Sequence, residues 1–283
     1  MKTIHNILLL TDFSEVSESA AVYALEIGKK INSRVEILHL INTPVEWSKL
    51  PLEKEKLYPE TKAEIGNAKA KLSALSIDFS KQGVKTKESL IFNVGVENIP
   101  EHINADNYDL IIMGSHGSKG IKESVIGSNA QKILRRIKIP ILVVKTPFSS
   151  DAFSRIVMAS TFEKNQKPFF KQMLNFATDL EVGIDLLYIN TPYNFRETQQ
   201  IQQMLSSFCE ECTENDCGKH HVDAFNEESG IQYFMENSEA GLFAIATSEK
   251  SQLSRLFSPS LSEAVINHLD IPVLVFHLET GSR

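Results

Sequence analysis

The sequence predicts an α/β protein made of two tandem, doubly wound domains, each built around a five-stranded parallel sheet. Three observations support this prediction. Continuous apolar runs alternate with amphipathic helical patterns, this alternation occurs twice, and 283 residues are enough for two cores of ordinary size. Continuous apolar runs are typical of strands that are buried on both faces, as parallel sheets require.

The first half contains five predicted strands separated by helical patterns. A helix is expected after Ser14, a favourable N-cap, because apolar residues from Val16 to Ile31 recur at helical spacing. A second helical face runs from Ile65 to Phe79. The predicted strands are residues 7–10, 35–41, 84–92, 110–113 and 141–144, and two further helices are predicted at 96–105 and 128–136.

Three short matches in the same order indicate an internal repeat. Residues 7–11 match 156–160, the tetrapeptide Ile-Asn-Thr-Pro occurs at both 41–44 and 189–192, and residues 138–144 match 270–276. Pro147 and the Ser-Ser-Asp cluster after it are typical of a linker. The predicted domains are therefore residues 1–147 and 152–283.

Four of the 13 glycines, the first at position 114 and the last at 127, lie close together. Gly114 and Gly117 follow the fourth predicted strand, and Gly127 with Ser128 precedes the last helix. Open α/β sheets bind ligands beyond the carboxyl ends of their strands, and glycine lets main-chain N–H groups approach an anion. The cluster predicts a phosphate site, although neither G-x-x-x-x-G-K-[ST] nor G-x-G-x-x-G is present. The alternative is that these glycines only form turns.

The spacing Gly114-x2-Gly117-x9-Gly127-Ser128 resembles the signature of ATP-binding universal stress proteins. The stretches IIMGSHG and IPILVVK resemble the strands that flank that signature. The resemblance covers the first half, and the internal repeat extends it to the second. It implies a Rossmann-like fold that binds ATP, with Mg or Mn on the phosphates, at the switch between the first and fourth strands.

The same resemblance assigns roles to single residues. Asp12, with Thr11 beside it, is expected near the ribose or a phosphate-bound metal ion, and the alternative is a turn former that caps the next helix. Leu40 is expected to meet the adenine through its backbone. The nucleotide is further expected to contact Met113, a first phosphate loop of Gly114, His116 and Gly117, and a second of Gly127, Ser128 and Asn129.

The second half lacks most of this signature. Counting back from its last strand, the positions of the three glycines hold Ala246, Glu249 and Pro259, and only the serine is kept, as Ser260. A glutamate would repel phosphate, and proline has no N–H to donate. The place of Asp12 is taken by residue 160 or 161, neither of them acidic. We expect one nucleotide per chain, in the first half.

A cysteine cluster marks the second half. Cys209, Cys212, Cys217 and His220 have the ligand types of a tetrahedral zinc site, although the spacing matches no common zinc motif well. Redox sensing is a second interpretation, and helix packing with free thiols is a third. Three cysteines do not form a secreted disulfide framework, so a reducing cytoplasm is the expected location.

Composition narrows the choice of partners. The net charge of −7 disfavours nucleic acid and anionic membranes. Three functions remain: a stress-response protein with ATP as regulatory or conformational ligand, a slow ATPase or adenylate-type enzyme with Asp12 holding the metal, and a nucleotide-free interaction module. By the resemblance, the last strands of the two halves pair into an internal pseudo-dimer. A homodimer of whole chains is a separate expectation that no residue pattern supports. Residues 47–61 are expected to cover the nucleotide or to form an oligomer contact.

Overall fold

The computed structural model describes residues 4–95, 99–115, 126–212, 216–247 and 259–277. Strands and helices alternate along these ranges. The strands are β1 (Asn6–Leu10), β2 (Arg34–Thr43), β3 (Lys85–Val94), β4 (Leu110–Gly114), β5 (Ile141–Val144), β6 (Arg155–Ala159), β7 (Gly183–Asn190), β8 (Cys217–Asp223), β9 (Leu242–Thr247) and β10 (Val273–His277). The helices are α1 (Glu15–Ile31), α2 (Pro59–Lys81), α3 (Ser128–Arg136), α4 (Lys167–Asp179), α5 (Thr198–Cys209), α6 (Glu227–Glu236) and α7 (Pro259–His268).

The ten strands form one continuous sheet in the order β3-β2-β1-β4-β5-β10-β9-β6-β7-β8. Strands β1 to β5 are parallel to one another, as are β6 to β10. The two sets meet where β5 pairs antiparallel with β10, with Leu142 opposite Leu274. The predicted α/β class is confirmed. Each set reverses its strand order at one switch point, between β1 and β4 and between β6 and β9.

The helices of the first unit follow the sequence patterns closely. The side chain of Ser14 accepts a hydrogen bond from the N–H of Ser17, which makes it the N-cap of α1. Helix α1 is followed by its C-cap, Asn32, whose backbone is left-handed with φ of 54°. Helix α3 covers 128–136, the predicted range. Helix α1 packs mainly on β4 and β1, and α2 on β3 and β2.

The helix predicted at residues 96–105 is wrong over its described part. The chain forms two short 3-10 turns there, Ile99–His102 and Ala105–Asn107, and residues 96–98 lie outside the described ranges. The side chain of Asn104 accepts a hydrogen bond from the N–H of Asp106, which gives the backbone an alternative to helix. The second unit has the full helix α6 between the corresponding strands.

The same turns occur at corresponding places in the two units. In the first unit the N–H of Thr11 donates to the carbonyl of Leu38, and in the second unit the N–H of Ser160 donates to the carbonyl of Leu187. The equivalent residues differ in number by 149. The repeated tetrapeptide Ile-Asn-Thr-Pro instead pairs Ile41 with Ile189, which differ in number by 148. That match, read from the sequence, is therefore one residue out of register with the hydrogen-bonded strands.

The segment between β2 and α2 lies beside the carboxyl end of β2. Its 3-10 turns cover Trp47–Lys49 and Leu52–Leu57. Trp47 is buried and joins Ile41, Ile65 and Ala68 in a small core separate from the main one. The main core lies between the sheet and its covering helices, and it includes the central strand residues Leu8 and Ile112, both fully buried.

Candidate functional site

The chain leaves β1 through a tight turn at the switch point of the first unit. The hydroxyl oxygen of Thr11 accepts a hydrogen bond from the N–H of Phe13 at 3.0 Å and lies 3.1 Å from the hydroxyl of Ser17. Phe13 has a left-handed backbone with φ of 60°, which is unusual for a residue with a Cβ. Strained turns of this kind are frequent at functional sites because the surrounding structure must hold them in place.

Asp12 forms the tip of this turn. Its Oδ1 accepts hydrogen bonds from the N–H of Ser14 at 3.1 Å and from the Ser14 hydroxyl at 2.6 Å. These contacts are those of a turn former at the start of α1. They also orient the half-buried carboxylate at the strand end, where the role of Asp12 beside a ribose or a metal ion remains a prediction.

The end of β2 lies against this turn. The imidazole Nδ1 of His39 is 2.7 Å from the carbonyl oxygen of Thr11, and because a carbonyl only accepts, Nδ1 carries the proton. The His39 ring packs against the ring of Phe13, with centroids 4.6 Å apart and the ring planes tilted by 42°. These contacts give His39 a structural role at the turn.

The backbone of Leu40 faces the space beyond β1. The carbonyl of Leu38 accepts a hydrogen bond from the N–H of Thr11, and β1 ends at Leu10. Peptide groups of alternate residues in a strand point to the same side, so the N–H and C=O of Leu40 point toward the prolongation of β1. This is the orientation that an adenine-binding backbone requires.

The two glycine segments of the signature meet at the end of β4. Met113 is buried opposite Leu10 of β1. Beyond Gly114, the N–H of Ser115 donates to the carbonyl of Val144, and the Ser115 carbonyl accepts from the N–H of Gly127, both at 2.8 Å. The chain that leaves β4 therefore returns to the same point at the start of α3.

Gly114 allows close packing between two secondary-structure elements. A Cβ at this position would lie 3.0 Å from the Cγ1 of Val16 and 3.2 Å from the N of Ser17, in the first turn of α1. The absence of a side chain at position 114 was expected to make room for an anion. In the structure it makes room for the close approach of α1. Gly127 has φ of −59° and ψ of 148°, values that any residue adopts.

The amino terminus of α3 is suited to an anion. Its N-cap, Gly127, makes no side-chain capping bond, and its first turn contains no acidic residue. Helix α1 differs, because its first turn has the Ser14 cap together with Glu15 and Glu18. The main-chain N–H groups and the helix dipole at the start of α3 therefore favour a negatively charged group.

The structure brings most of the predicted binding residues to one edge of the sheet. Ser128 is exposed and Asn129 half-buried in the first turn of α3. His116 and Gly117 lie outside the described residues. The residues gathered at the ends of β1, β2 and β4 and at the start of α3 are Thr11, Asp12, Leu40, Met113, Gly114, Gly127, Ser128 and Asn129.

The corresponding turn of the second unit lacks the acidic residue. The offset of 149 makes Thr161 the counterpart of Asp12, and Thr161 and Ser160 are both buried. Gly114 pairs with Val144 and Ala246 with Phe276, so alanine replaces this glycine. Glu249 and the side chains of Pro259 and Ser260 lie outside what the structure describes.

The cysteine cluster does not form the zinc site expected from the sequence. Cys209 and Cys217 are joined by a disulfide, with their Cα atoms 5.9 Å apart, so neither sulfur is a thiolate ligand. The described ranges contain no group of three metal-ligating side chains placed to hold an ion. Burial raises the pKa of the remaining thiol, Cys212, to about 11.

His220 belongs to an ion network instead. Its Nε2 lies 2.9 Å from Oδ1 of the buried Asp185, whose Oδ2 accepts from Nε of Arg155 at 2.7 Å. Arg155 also pairs with Asp216 at 2.6 Å. Burial acts to raise the pKa of Asp185, but the bonds from Arg155 and His220 outweigh it and lower the pKa. The feature of the sequence that could have indicated this network is Asp185, the acidic residue within the apolar strand β7.

Comparison with known proteins agrees with the fold. The sequence profile described as "Universal stress protein family" matches residues 3–145. This chain belongs to the universal stress protein family. A universal stress protein of Methanocaldococcus jannaschii is 30% identical over 143 residues, which cover 50% of this chain and 82% of that protein.

Two further matches extend over both units. A universal stress protein of Synechocystis sp. is 23% identical over 96% of this chain and 99% of its own length. The crystal structure of a universal stress protein from Archaeoglobus fulgidus superimposes with a TM-score of 0.74 at 20% identity, over 97% of this chain and 98% of that one. The tandem arrangement is therefore shared with other family members. Among the helices that the structure describes, none is long and apolar enough to cross a membrane.

Proposed function

We propose that this universal stress protein binds ATP in its first unit as a regulatory or conformational ligand in a stress response. The bond from the Gly127 N–H to the Ser115 carbonyl carries the proposal, because it places the uncapped start of α3 beside the end of β4. Such a crevice at a switch point is where open α/β sheets bind nucleotides.

The chemistry of the edge fits an adenine nucleotide. The N–H groups at the start of α3 suit the phosphates, and the backbone of Leu40 offers one donor and one acceptor to the adenine. Asp12 lies in the turn that follows β1, the strand between them, where a carboxylate suits a ribose hydroxyl or a Mg or Mn ion on the phosphates. When bound, such an ion would supply positive charge against the phosphates.

The second unit supports a stoichiometry of one nucleotide per chain. Its counterpart of Asp12 is the neutral Thr161, which is buried. The counterpart of Gly127 is Pro259, the first residue of α7, which has no N–H to donate. This unit therefore lacks both the acidic group and part of the donor set.

Four further features belong to the same proposal. The functional domains are residues 1–147 and 152–283, and the pairing of β5 with β10 supports their description as an internal pseudo-dimer. We place the protein in the cytoplasm, although the Cys209–Cys217 disulfide is unusual for a reducing compartment. We propose a homodimer of whole chains as its larger assembly. Neither nucleic acid nor a membrane is proposed as a partner, in keeping with the net charge of −7.

Calorimetric titration with ATP and Mg tests the proposal. The wild type is expected to bind one ATP per chain, and Gly127→Val is expected to abolish binding because a branched side chain crowds the phosphate position. Gly66→Val is the matched control, since a Cβ at Gly66 meets nothing within 4 Å. Equal binding by the wild type and Gly127→Val would show that the site is wrongly assigned.

A further inference from the structure

The second unit reaches the nucleotide edge of the first unit through helix α7. The Oδ1 atom of Asn267, in the last turn of α7, accepts a hydrogen bond from the main-chain N–H of Ile126 at 2.9 Å. Ile126 is buried and immediately precedes Gly127, the N-cap of α3. A side chain of the unit that lacks the nucleotide signature therefore contacts the segment to which phosphate binding is assigned.

Two consecutive N–H groups of this segment are held by different units. The N–H of Gly127 donates to the carbonyl of Ser115 at 2.8 Å, within the first unit. The N–H of Ile126 donates to Asn267, in the second unit. A segment that is held at two adjacent peptide groups has little freedom to move, and the N–H groups that follow it begin α3. The contact with Asn267 therefore helps to set where those groups lie.

The end of α7 is itself fastened to the first unit. Lys145 directly follows β5, and its Nζ donates to the carbonyl oxygen of Asn267 at 2.7 Å and to that of Leu269 at 3.1 Å. An ammonium group at the carboxyl end of a helix satisfies carbonyls that have no partner within the helix. The backbone of Asn267 is thus held in place while its side chain holds Ile126.

The corresponding residue of the first unit has a different hydrogen-bonding capacity. Equivalent residues of α3 and α7 differ in number by 132, as Gly127 and Pro259 do. Arg135 is therefore the counterpart of Asn267. Arginine carries donors and no acceptor, so it cannot receive a main-chain N–H, and Arg135 instead donates to Glu263 of α7 at 2.9 Å. The asymmetry between the units extends to this position, because the acceptor lies on the helix that supports the first unit.

We propose that Asn267 is a positioning residue for the nucleotide site, through which the second unit holds the phosphate-binding segment of the first in its competent conformation. This inference rests on the proposed binding of ATP at the start of α3. Without the acceptor, the N–H of Ile126 loses its partner and the segment populates other arrangements. The apparent affinity for ATP then falls with the fraction of chains that are competent to bind.

The same contact gives the second unit a role in the response to ATP. Coupling between two equilibria is reciprocal, so a nucleotide that is favoured by the Asn267 contact must in turn stabilise that contact. ATP bound at α3 therefore tightens the attachment of α7. The second unit senses in this way whether the first is occupied, without binding nucleotide itself.

Titration of the full chain with ATP and Mg, compared with adenosine, tests the proposal. Adenosine has the same base and ribose but no phosphate, so its binding does not depend on the start of α3. Asn267→Ala is expected to weaken ATP binding about threefold to tenfold, the usual net effect of one such hydrogen bond, and to leave adenosine binding unchanged. Calorimetry follows ATP, NMR shifts follow adenosine, and thermal unfolding checks that the variant is folded.

Glu263→Gln is the matched control on the same helix. It removes the ion pair of Glu263 with Arg135, which lies about 10 Å along α3 from its first residue. The affinity for ATP is expected to stay within about twofold of the wild-type value, because an exposed ion pair contributes little. A loss as large as that of Asn267→Ala would overturn the proposal, since the effect would then belong to the contact between the helices in general.

Hydrogen exchange of the wild type tests the proposal without any variant. ATP is expected to slow amide exchange in α7 and to leave it unchanged in α5, which packs on the edge strand β8 at the far side of the second unit. Equal exchange of α7 with and without saturating ATP would overturn the proposal.

The outcomes distinguish this inference from the proposed function. If the wild type binds no ATP, the proposed function itself is wrong. If the wild type binds ATP and folded Asn267→Ala binds it equally well, or loses affinity for ATP and adenosine alike, the proposed function stands and the positioning role of Asn267 is wrong.

Discussion

Phe13 and Phe162 adopt the same left-handed backbone at corresponding turns of the two units, with φ of 60° and 52°. Each N–H donates to a hydroxyl two residues earlier, that of Thr11 at 3.0 Å and that of Ser160 at 3.3 Å. The backbone therefore leaves the strand in the same way in both units. The units differ in the residue between the hydroxyl and the phenylalanine. This residue is the acidic Asp12 in the first unit and the neutral Thr161 in the second.

The left-handed ends of α1 and α4 predict a difference in stability. Glu181 has φ of 53°, a conformation that costs glutamate more than asparagine or glycine. Glu181→Gly is expected to raise the free energy of unfolding by about 1 kcal/mol. Asn32→Gly, at the corresponding position, is expected to have little effect, because asparagine tolerates this conformation. Urea denaturation of both variants measures the difference, and a loss of stability in Glu181→Gly would contradict it.

Substitution by alanine is expected to have opposite effects on stability at Gly114 and at Gly66. Gly114→Ala is expected to lower the free energy of unfolding by about 1 to 3 kcal/mol, because its Cβ would press on Val16 and Ser17. Gly66→Ala is expected to raise it by about 0.5 to 1 kcal/mol, since Gly66 lies within α2 with open space around it. Thermal unfolding of the pair is the measurement. Equal effects would show that the contact with α1 is not tight.

The Asp185 network predicts a pH-dependent contribution to stability. Asp185→Asn is expected to cost about 3 kcal/mol at neutral pH, because the half-buried Arg155 loses a charged partner. The pKa of Asp185 in the folded protein is below its ordinary value of 3.8. Its contribution is therefore present above that value and is lost as the pH falls through the lower, folded-state pKa.

Urea denaturation of the wild type and Asp185→Asn from pH 7 to pH 2 tests this sign. The difference in unfolding free energy is expected to be constant near neutrality and to shrink below about pH 4. The exposed Asp216, which also pairs with Arg155, provides the control: Asp216→Asn is expected to have a much smaller effect. A difference that grows in acid would contradict the account.

The disulfide predicts sensitivity to reducing agents. It closes a short loop between α5 and β8, with a sequence separation of 8. Replacing both Cys209 and Cys217 by serine is expected to lower the free energy of unfolding by about 2.5 kcal/mol, through the entropy of the unfolded chain. Dithiothreitol should lower the stability of the wild type by a similar amount and leave the double variant unchanged. Cys212→Ser is the control, and mass spectrometry under non-reducing conditions reports the bond itself.

The strands and long helices were predictable because their patterns are set by burial. Apolar runs such as 110–113 became fully covered strands, and the spacing from Val16 to Ile31 became one face of α1. The helix expected at 96–105 was wrong because Pro100 lies inside it and has no N–H to donate, and because the side chain of Asn104 competes locally for the backbone. Such competition depends on geometry that residue periodicity does not contain.

The positions of the candidate site residues could be predicted from the sequence, but many of the contacts that these residues make could not. The glycine spacing indicated where the segments around Gly114 and Gly127 meet, but the reason for Gly114 is a helix that approaches from elsewhere in the sequence. The pairing of Cys209 with Cys217 could not be read from the sequence either, because it depends on how α5 lies against β8.

The most direct test of the central claim is a crystal structure of the full chain grown with excess ATP and Mg. We predict nucleotide density in the first unit only, with phosphates at the N–H groups that begin α3 and the adenine against the backbone of Leu40. An empty first crevice, or nucleotide bound in the second unit, would contradict the account.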